Sequence, residues 1–237
     1  MNSTIAIYGD SIMKGTVVTQ SMRYKATICE YLDKLKTQFG LNVESRARFG
    51  MTVERGSELL SKDMENGVGY RCALLEFGGN DCDYNWEEIA EKPNALHQAK
   101  TPMPKFISLY AGMIEKLQNA GIVPLMMTLP PISAEKYLSF ICRNGDKRES
   151  IMLWLKDVQR IYRTQERYSN AVARIAAVSG VELIDVRAHF LAQDDLTELI
   201  GSDGIHPTSK GYELIYEAFR DFINSHESLY RSLCVQG

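Results

Sequence analysis

The chain has 237 residues, 45% of them apolar and 24% charged, with a formal charge of -3. That is enough chain for one large α/β domain with a sizeable core, and the scattered lysines and arginines offer no basic surface to nucleic acid. No apolar run approaches ~18 residues and the first strand begins within a few residues of Met1, so the expectation is a soluble, cytoplasmic protein with no stable membrane association.

Residues 4–8 form an apolar, β-branched run that stops in Gly9-Asp10-Ser11. This is the pattern of a buried strand ending in a tight turn, with a hydroxyl at the carboxyl edge of a sheet, where open α/β sheets bind ligands. Tyr24, Ile28, Tyr31, Leu35 and Phe39 recur at helical spacing and predict a first helix, stopped at Gly40. A second strand follows over 41–48, with Val43, Ser45 and Ala47 on one face, and runs into a turn at Gly50. A helix over about 53–66 precedes a third strand over 72–77, whose near-continuous apolar character suits burial on both faces.

After Gly78-Gly79-Asn80-Asp81 comes a polar connection over 81–101, long enough to be functional. It holds Trp86 and His97, with Pro93 inside it and Pro102 just beyond. The spacing of Phe106, Leu109, Met113 and Leu117 predicts a helix over 105–120, followed by a fourth strand over 122–129 that Pro130-Pro131 ends. Residues 133–155 mix aromatic and aliphatic groups around a polar break at Arg143-Asn144-Gly145-Asp146-Lys147, which suggests two short helices over the carboxyl edge. A longer helix over 156–179 stops at Gly180, a fifth strand covers 181–185, and a last helix spans 209–225. Alternation of this kind builds a parallel sheet in a three-layer α/β/α sandwich. No repeat or linker interrupts it, so residues 1–237 are expected to form one domain with a cap-like insertion around 130–156.

Four blocks stand at predicted strand ends or near the carboxyl end: Gly9-Asp10-Ser11-Ile12, the turn at Gly50, Gly78-Gly79-Asn80-Asp81, and Asp203-Gly204-Ile205-His206-Pro207. In type and order they resemble the SGNH (GDSL-type) hydrolases, with Ile12 where many members carry leucine. The resemblance covers residues 5 to about 225. It implies a flavodoxin-like five-stranded sheet of order 2-1-3-4-5, which brings Ser11 and Asn80 together across the topological switch. It also implies an oxyanion hole made by the backbone N–H groups of Ser11 and Gly50 and the side-chain amide of Asn80.

Ester hydrolysis at neutral pH needs a nucleophile, a base, a group that orients the base, and donors for the oxyanion. Ser11, His206 and Asp203 fit the first three roles, and Pro207 restrains the backbone of His206. Each residue taken alone is an ordinary turn or cap residue; their joint order carries the expectation. Asp10, Asp81 and Trp86 are candidate substrate contacts. Tyr84, Trp86, Tyr137 and Trp154 could line a cleft or belong to the core.

Neither cofactor nor metal is expected. Cys29, Cys72, Cys82, Cys142 and Cys234 are too scattered for a disulfide framework or a metal site and are read as reduced thiols, Cys82 among them a buried thiol in preference to a nucleophile. His97, His189 and His226 have no motif around them. A nucleotide- or flavin-binding module is disfavoured because the first turn lacks a glycine-rich cradle and Asp203 and His206 would be left unexplained. A non-catalytic scaffold stays open, and so does a homo-oligomer. The polar cluster Asp81, Asp83, Asn85, Glu87 and Glu88 suggests a cleft for a short acyl ester of a polar alcohol such as a sugar. Tyr137, Phe140, Ile151 and Trp154, folding over as an apolar lid, would favour longer chains instead.

Overall fold

The computed structural model describes residues 4–19, 21–26, 29–143, 145 and 147–229. Strand β1 (Thr4–Gly9) runs straight from the amino-terminal end into the Gly9-Asp10-Ser11 turn. A short antiparallel hairpin follows, β2 (Thr16–Val18) with β3 (Tyr24–Ala26), before helix α1 (Cys29–Phe39). The chain continues as β4 (Asn42–Ser45), α2 (Val53–Glu65), β5 (Cys72–Glu76), α3 (Trp86–Glu91), α4 (Met103–Asn119) and β6 (Val123–Met127). It ends with α5 (Ala134–Ile141), α6 (Arg148–Leu155), α7 (Gln159–Ser179), β7 (Glu182–Ile184), α8 (Val186–Leu191) and α9 (Ser209–Ser225).

The main sheet is all parallel in the order β4-β1-β5-β6-β7, which is the order 2-1-3-4-5 when its five strands are counted along the chain. Alternate residues of β1 and β5 serve opposite faces. Ala6, Tyr8, Ala73 and Leu75 pack with Leu60, Phe106, Tyr110, Met113 and Val172 beneath α2, α4 and α7. Ile7, Cys72 and Leu74 pack with Met127, Phe190, Tyr212 and Ile215 beneath α8 and α9. Burial on both faces is why these strands are apolar without alternation, and truncating a fully buried side chain such as Phe77 would cost about 3–5 kcal/mol.

Two expectations need correction. Tyr24 belongs to β3, opposite Val18, and not to the first helix; Ile28 lies outside the described residues. Its spacing to Tyr31 matches a helix, but hairpin pairing takes the residue instead. The connection over 81–101 contains the short helix α3, started by Asn85, whose side chain accepts from the N–H of Glu88. Beyond β7 the helix α8 is started in the same way by Asp185, which accepts from Ala188. Cys72, Cys82 and Cys142 are free thiols, whereas Cys234, Asn144, Asp146 and the side chain of Cys29 lie outside the described residues. Among the described residues no helix is long and apolar enough to cross a membrane, and no group of three or more His, Cys, Asp or Glu could hold a metal ion.

Residues 130–156 supply α5 and α6, which pack with α3 and α7 around a third apolar cluster that includes Ile89, Leu138, Ile151, Trp154 and Ile161. This layer is joined to the Asp203-to-Pro207 turn: the N–H of Ser133 donates to the carbonyl of Gly204 at 2.8 Å, and Lys136 Nζ donates to the carbonyls of Thr197 and Ile200 at 2.8 and 2.7 Å. Gly204 has φ 78°, and a Cβ there would stand 2.3 Å from the nitrogen of Tyr137 and 2.6 Å from the carbonyl oxygen of Ser133. Only glycine lets the two backbones meet. Gly204→Ala is therefore expected to lower the unfolding free energy by about 2–4 kcal/mol in chemical denaturation. An unchanged midpoint would mean that this contact does not form.

Asp81, expected at the substrate, is fully buried and serves the fold instead. Its two carboxylate oxygens accept from the N–H of Val53 at 3.0 and 3.2 Å, satisfying a free donor at the start of α2, where Thr52 makes no side-chain cap bond. Burial pushes its carboxyl up from 3.8 to about 6, against the pull of Thr101 and Val53. An acid raised in the folded state contributes stability that is complete below pH 3.8 and is lost as pH rises through about 6. Asp81→Asn keeps an acceptor for Val53 and cannot titrate. The thermal midpoint of the variant should therefore fall less than that of the wild type between about pH 4 and pH 6; parallel curves would exclude Asp81 as the cause.

Candidate active site

The turn after β1 is built by Asp10. Its Oδ1 accepts from the N–H of Ile12 at 2.8 Å, the closure of an Asx turn, and the hydroxyl of Tyr212 on α9 donates to the carbonyls of Ile12 and Thr16 at 3.2 and 2.9 Å. Ser11 is thus held at the strand end with its side chain facing the Asp203-to-Pro207 turn. Its Oγ is 2.9 Å from His206 Nε2, and His206 Nδ1 is 2.5 Å from Asp203 Oδ2. The second carboxylate oxygen of Asp203 accepts from the N–H groups of Ile205 and His206, both at 3.1 Å.

Burial pushes the carboxyl of Asp203 up, but the hydrogen bond and charge of His206 together with those two N–H groups outweigh it, leaving the group below the usual carboxylate range. An ionised Asp203 places the imidazole hydrogen on Nδ1, so the lone pair of Nε2 faces the hydroxyl of Ser11. Two aromatic rings hold the imidazole in plane. Phe49 stacks on it at 5.9 Å and 14°, and Tyr24 leans against it at 5.1 Å. Neither residue was expected here, because Tyr24 reads locally as helical and Phe49 is only the neighbour of a turn glycine.

Gly50 occupies a left-handed conformation, φ 69°, at the end of the second sheet strand's loop. Neither its N–H nor that of Ser11 has a protein partner among the described residues. Asn80 Nδ2 donates to Asp10 Oδ2 at 2.9 Å and makes a longer contact, 3.3 Å, with the carbonyl of Met51. One amide hydrogen is firmly engaged and the other only weakly. Asp10 borders the cleft, but both of its carboxylate oxygens already accept from the protein.

Beside Ser11 and Asn80 lies a cavity of about 130 Å³. Tyr84, Trp86, Tyr137, Ile132 and Ile161 form its walls, and Gln165 closes part of it. Trp154 is in the third apolar cluster and does not reach the cleft, so the four aromatics divide between the two roles considered for them. The walls are tied down by Asp83, whose Oδ1 accepts from Trp86 Nε1 at 2.8 Å and from the hydroxyl of Tyr137 at 2.7 Å, while Oδ2 pairs with Lys100 at 2.8 Å. Gln165 accepts from Arg187 at 2.9 Å and donates to the carbonyl of Pro130 at 2.8 Å.

These contacts overturn the expected anionic cleft. Asp81 caps α2, Asn85 caps α3, Glu87 pairs with Lys147, and the charge of Asp83 is matched by Lys100. The wall is aromatic and aliphatic. Ile151 and Trp154 are core residues and not parts of an open lid. Cys82 borders the cleft, but burial pushes its thiol well above its ordinary value, as do the charges of Asp83 and Asp81, which leaves it a poor nucleophile.

The comparisons accord with this geometry. Among solved structures, a lipase/acylhydrolase from Enterococcus faecalis superposes with a TM-score of 0.66 at 17% identity, over 94% of this chain and 96% of that one. A catalytic mutant of an acetylxylan esterase from Geobacillus stearothermophilus gives 0.63 at 17% identity, over 92% and 93%. A stretch of 108 residues is 29% identical to human asparagine synthetase domain-containing protein 1, covering 43% of this chain but only 16% of that protein's length. The model of the GDSL-like lipase/acylhydrolase family matches residues 7–214. With four blocks in order, the parallel sheet that gathers them and a family match over most of its length, the chain belongs to the GDSL-like lipase/acylhydrolase family, a family of carboxylic ester hydrolases.

Proposed function

We propose that the protein is a serine esterase that removes a short acyl group from a polar alcohol through an acyl-enzyme. The observation that carries this reading is the continuous chain of contacts from Ser11 through His206 to Asp203, at 2.9 and 2.5 Å, beside a cavity. In the first half of the reaction Ser11 Oγ attacks the ester carbonyl carbon while His206 Nε2 takes its proton. Asp203 stabilises the imidazolium that forms. The carbonyl oxygen, now an anion, lies within reach of the free N–H groups of Ser11 and Gly50. It also takes the second amide hydrogen of Asn80 from its long contact with Met51. Each such donor is worth about 2.7–4 kcal/mol in the transition state. Collapse of the intermediate expels the alcohol, which leaves with the proton held on His206. Water then repeats the sequence on the acyl-enzyme.

The small size of the cavity and the fixing of its walls by Asp83 support a short acyl group. Tyr24 and Phe49 line the same cavity, and their rings are 40% and 52% exposed, an open shelf suited to the face of a sugar or similar alcohol. That one of the solved relatives is an acetylxylan esterase points the same way.

Two measurements test the reading. Ser11→Ala and His206→Ala should each lower kcat by roughly 10⁴- to 10⁶-fold, with the double variant scarcely worse, because the two groups share one proton transfer. Additive losses would sink the shared mechanism. Across aryl esters of increasing acyl length, kcat/KM should be highest for acetyl or propionyl. A maximum at about eight carbons or more would instead favour a lipid ester or thioester, since each buried methylene gains ~0.8 kcal/mol only against a continuous apolar wall.

A further inference from the structure

A carboxyl group with no role in the reaction as described stands directly behind the nucleophile. Glu76 is the last residue of β5, opposite Gly9 in register, and is fully buried. Its Oε2 accepts from the N–H of Asp10 at 3.2 Å. Its Oε1 is buried with no donor among the described residues. What that side chain does face is the side chain of Asp10, close enough for its charge to act on it. In a strand otherwise made of Cys72, Ala73, Leu74 and Leu75, an acid with one orphaned oxygen is costly unless it is needed.

We propose that Glu76 is a positioning residue that acts on the reaction through Asp10, fixing the carboxylate that in turn aims the amide of Asn80 and holds the Ser11 turn. The inference rests on the esterase reading above. Two fully buried carboxylates side by side cannot both be ionised, so the pair shares one proton. Asp10 is the better-supported anion. Burial raises its carboxyl, but its oxygens accept from Ile12 and Asn80, at 2.8 and 2.9 Å, and both bonds favour the charged form.

Glu76 has only the N–H of Asp10, and burial, with the charge of Asp10 next, holds its carboxyl well above the ordinary range. The proton therefore belongs to Glu76, and its O–H donates to the Asp10 carboxylate. Besides His206, the other titratable groups facing the pair are Asp81 and Cys82 after β5, Tyr110 of α4 and Tyr212 of α9, none of which brings a positive charge. Held from behind by Glu76, Asp10 keeps one hydrogen of Asn80 and leaves the other directed at the oxyanion.

The test compares wild type with Glu76→Gln, which still donates to Asp10, and Glu76→Leu, which fills the same space without a donor. At neutral pH the infrared spectrum of the wild type should contain the carbonyl band of a protonated carboxylic acid that Glu76→Gln lacks. On a short-acyl aryl ester Glu76→Gln should retain most of kcat. Glu76→Leu should lose roughly 10- to 100-fold in kcat with KM unchanged, a fraction of the loss expected for an absent oxyanion donor. Wild-type kcat in Glu76→Leu, equal impairment of both variants, or no such band would overturn the proposal. If Glu76→Leu does not fold, the band and the kcat of Glu76→Gln decide. Stoichiometric labelling by a fluorophosphonate is the separate control. A wild type that is not labelled defeats the esterase reading, while the infrared band still reports on the carboxyl pair.

Discussion

The parallel pairing of β1 with β5, in register from Ile5 opposite Cys72 to Gly9 opposite Glu76, sets where every group of the site can stand. Both strands end at the same level, so the turn bearing Ser11 and the turn bearing Asn80 leave the sheet side by side. On the other flank β4 pairs with β1 and delivers Gly50 to the same edge. A slip of one residue between β1 and β5 would turn Tyr8 or Leu75 toward the opposite core and part the two turns. The apolar cores on the two faces therefore hold the turns of Ser11 and Asn80 in register as well as the fold.

That edge is closed by a second layer whose polar contacts are as specific as its apolar ones. Asp83 binds Trp86, Tyr137 and Lys100 at once, and the backbone of Ser133 meets that of Gly204 in the turn of Asp203 and His206. The layer carrying α5 and α6 is thereby attached to the turn that carries the imidazole. A wall fixed in this way limits the cleft by shape, and the exposed rings of Tyr24 and Phe49 complete its lining.

Charge in this region is handled by pairing and not by exposure. Of the carboxylates that follow Asn80 in the chain, Asp81 satisfies the start of α2, and Asp83 and Glu87 meet lysines. Behind Ser11, Glu76 and Asp10 form a pair whose members cannot both ionise. Carboxyl groups stand close around the site, yet among the described residues only Asp10 and Asp83 reach the lining of the cleft.

The sequence by itself determined the five parallel strands, the last helix and the residues that meet in the site, because each depends on local signals. Apolar runs mark strands covered on both faces, glycines mark helix ends and strand-end turns, and the blocks around Ser11, Gly50, Asn80 and His206 each occupy a few adjacent residues. Tertiary structure decided the rest. The 24–39 stretch carries helical spacing at Tyr24, yet pairing with Val18 and packing on His206 place Tyr24 in a hairpin. The acids past Asn80 look alike in a list of residues, and only long-range partners separate a helix cap from a wall support. Glu76 looks like one polar residue at the end of a strand until Gly9 is set opposite it and the carboxyl of Asp10 is found against its own. Such contacts join residues tens of positions apart, where neither periodicity nor local propensity carries information, so they exist only once the sheet has formed.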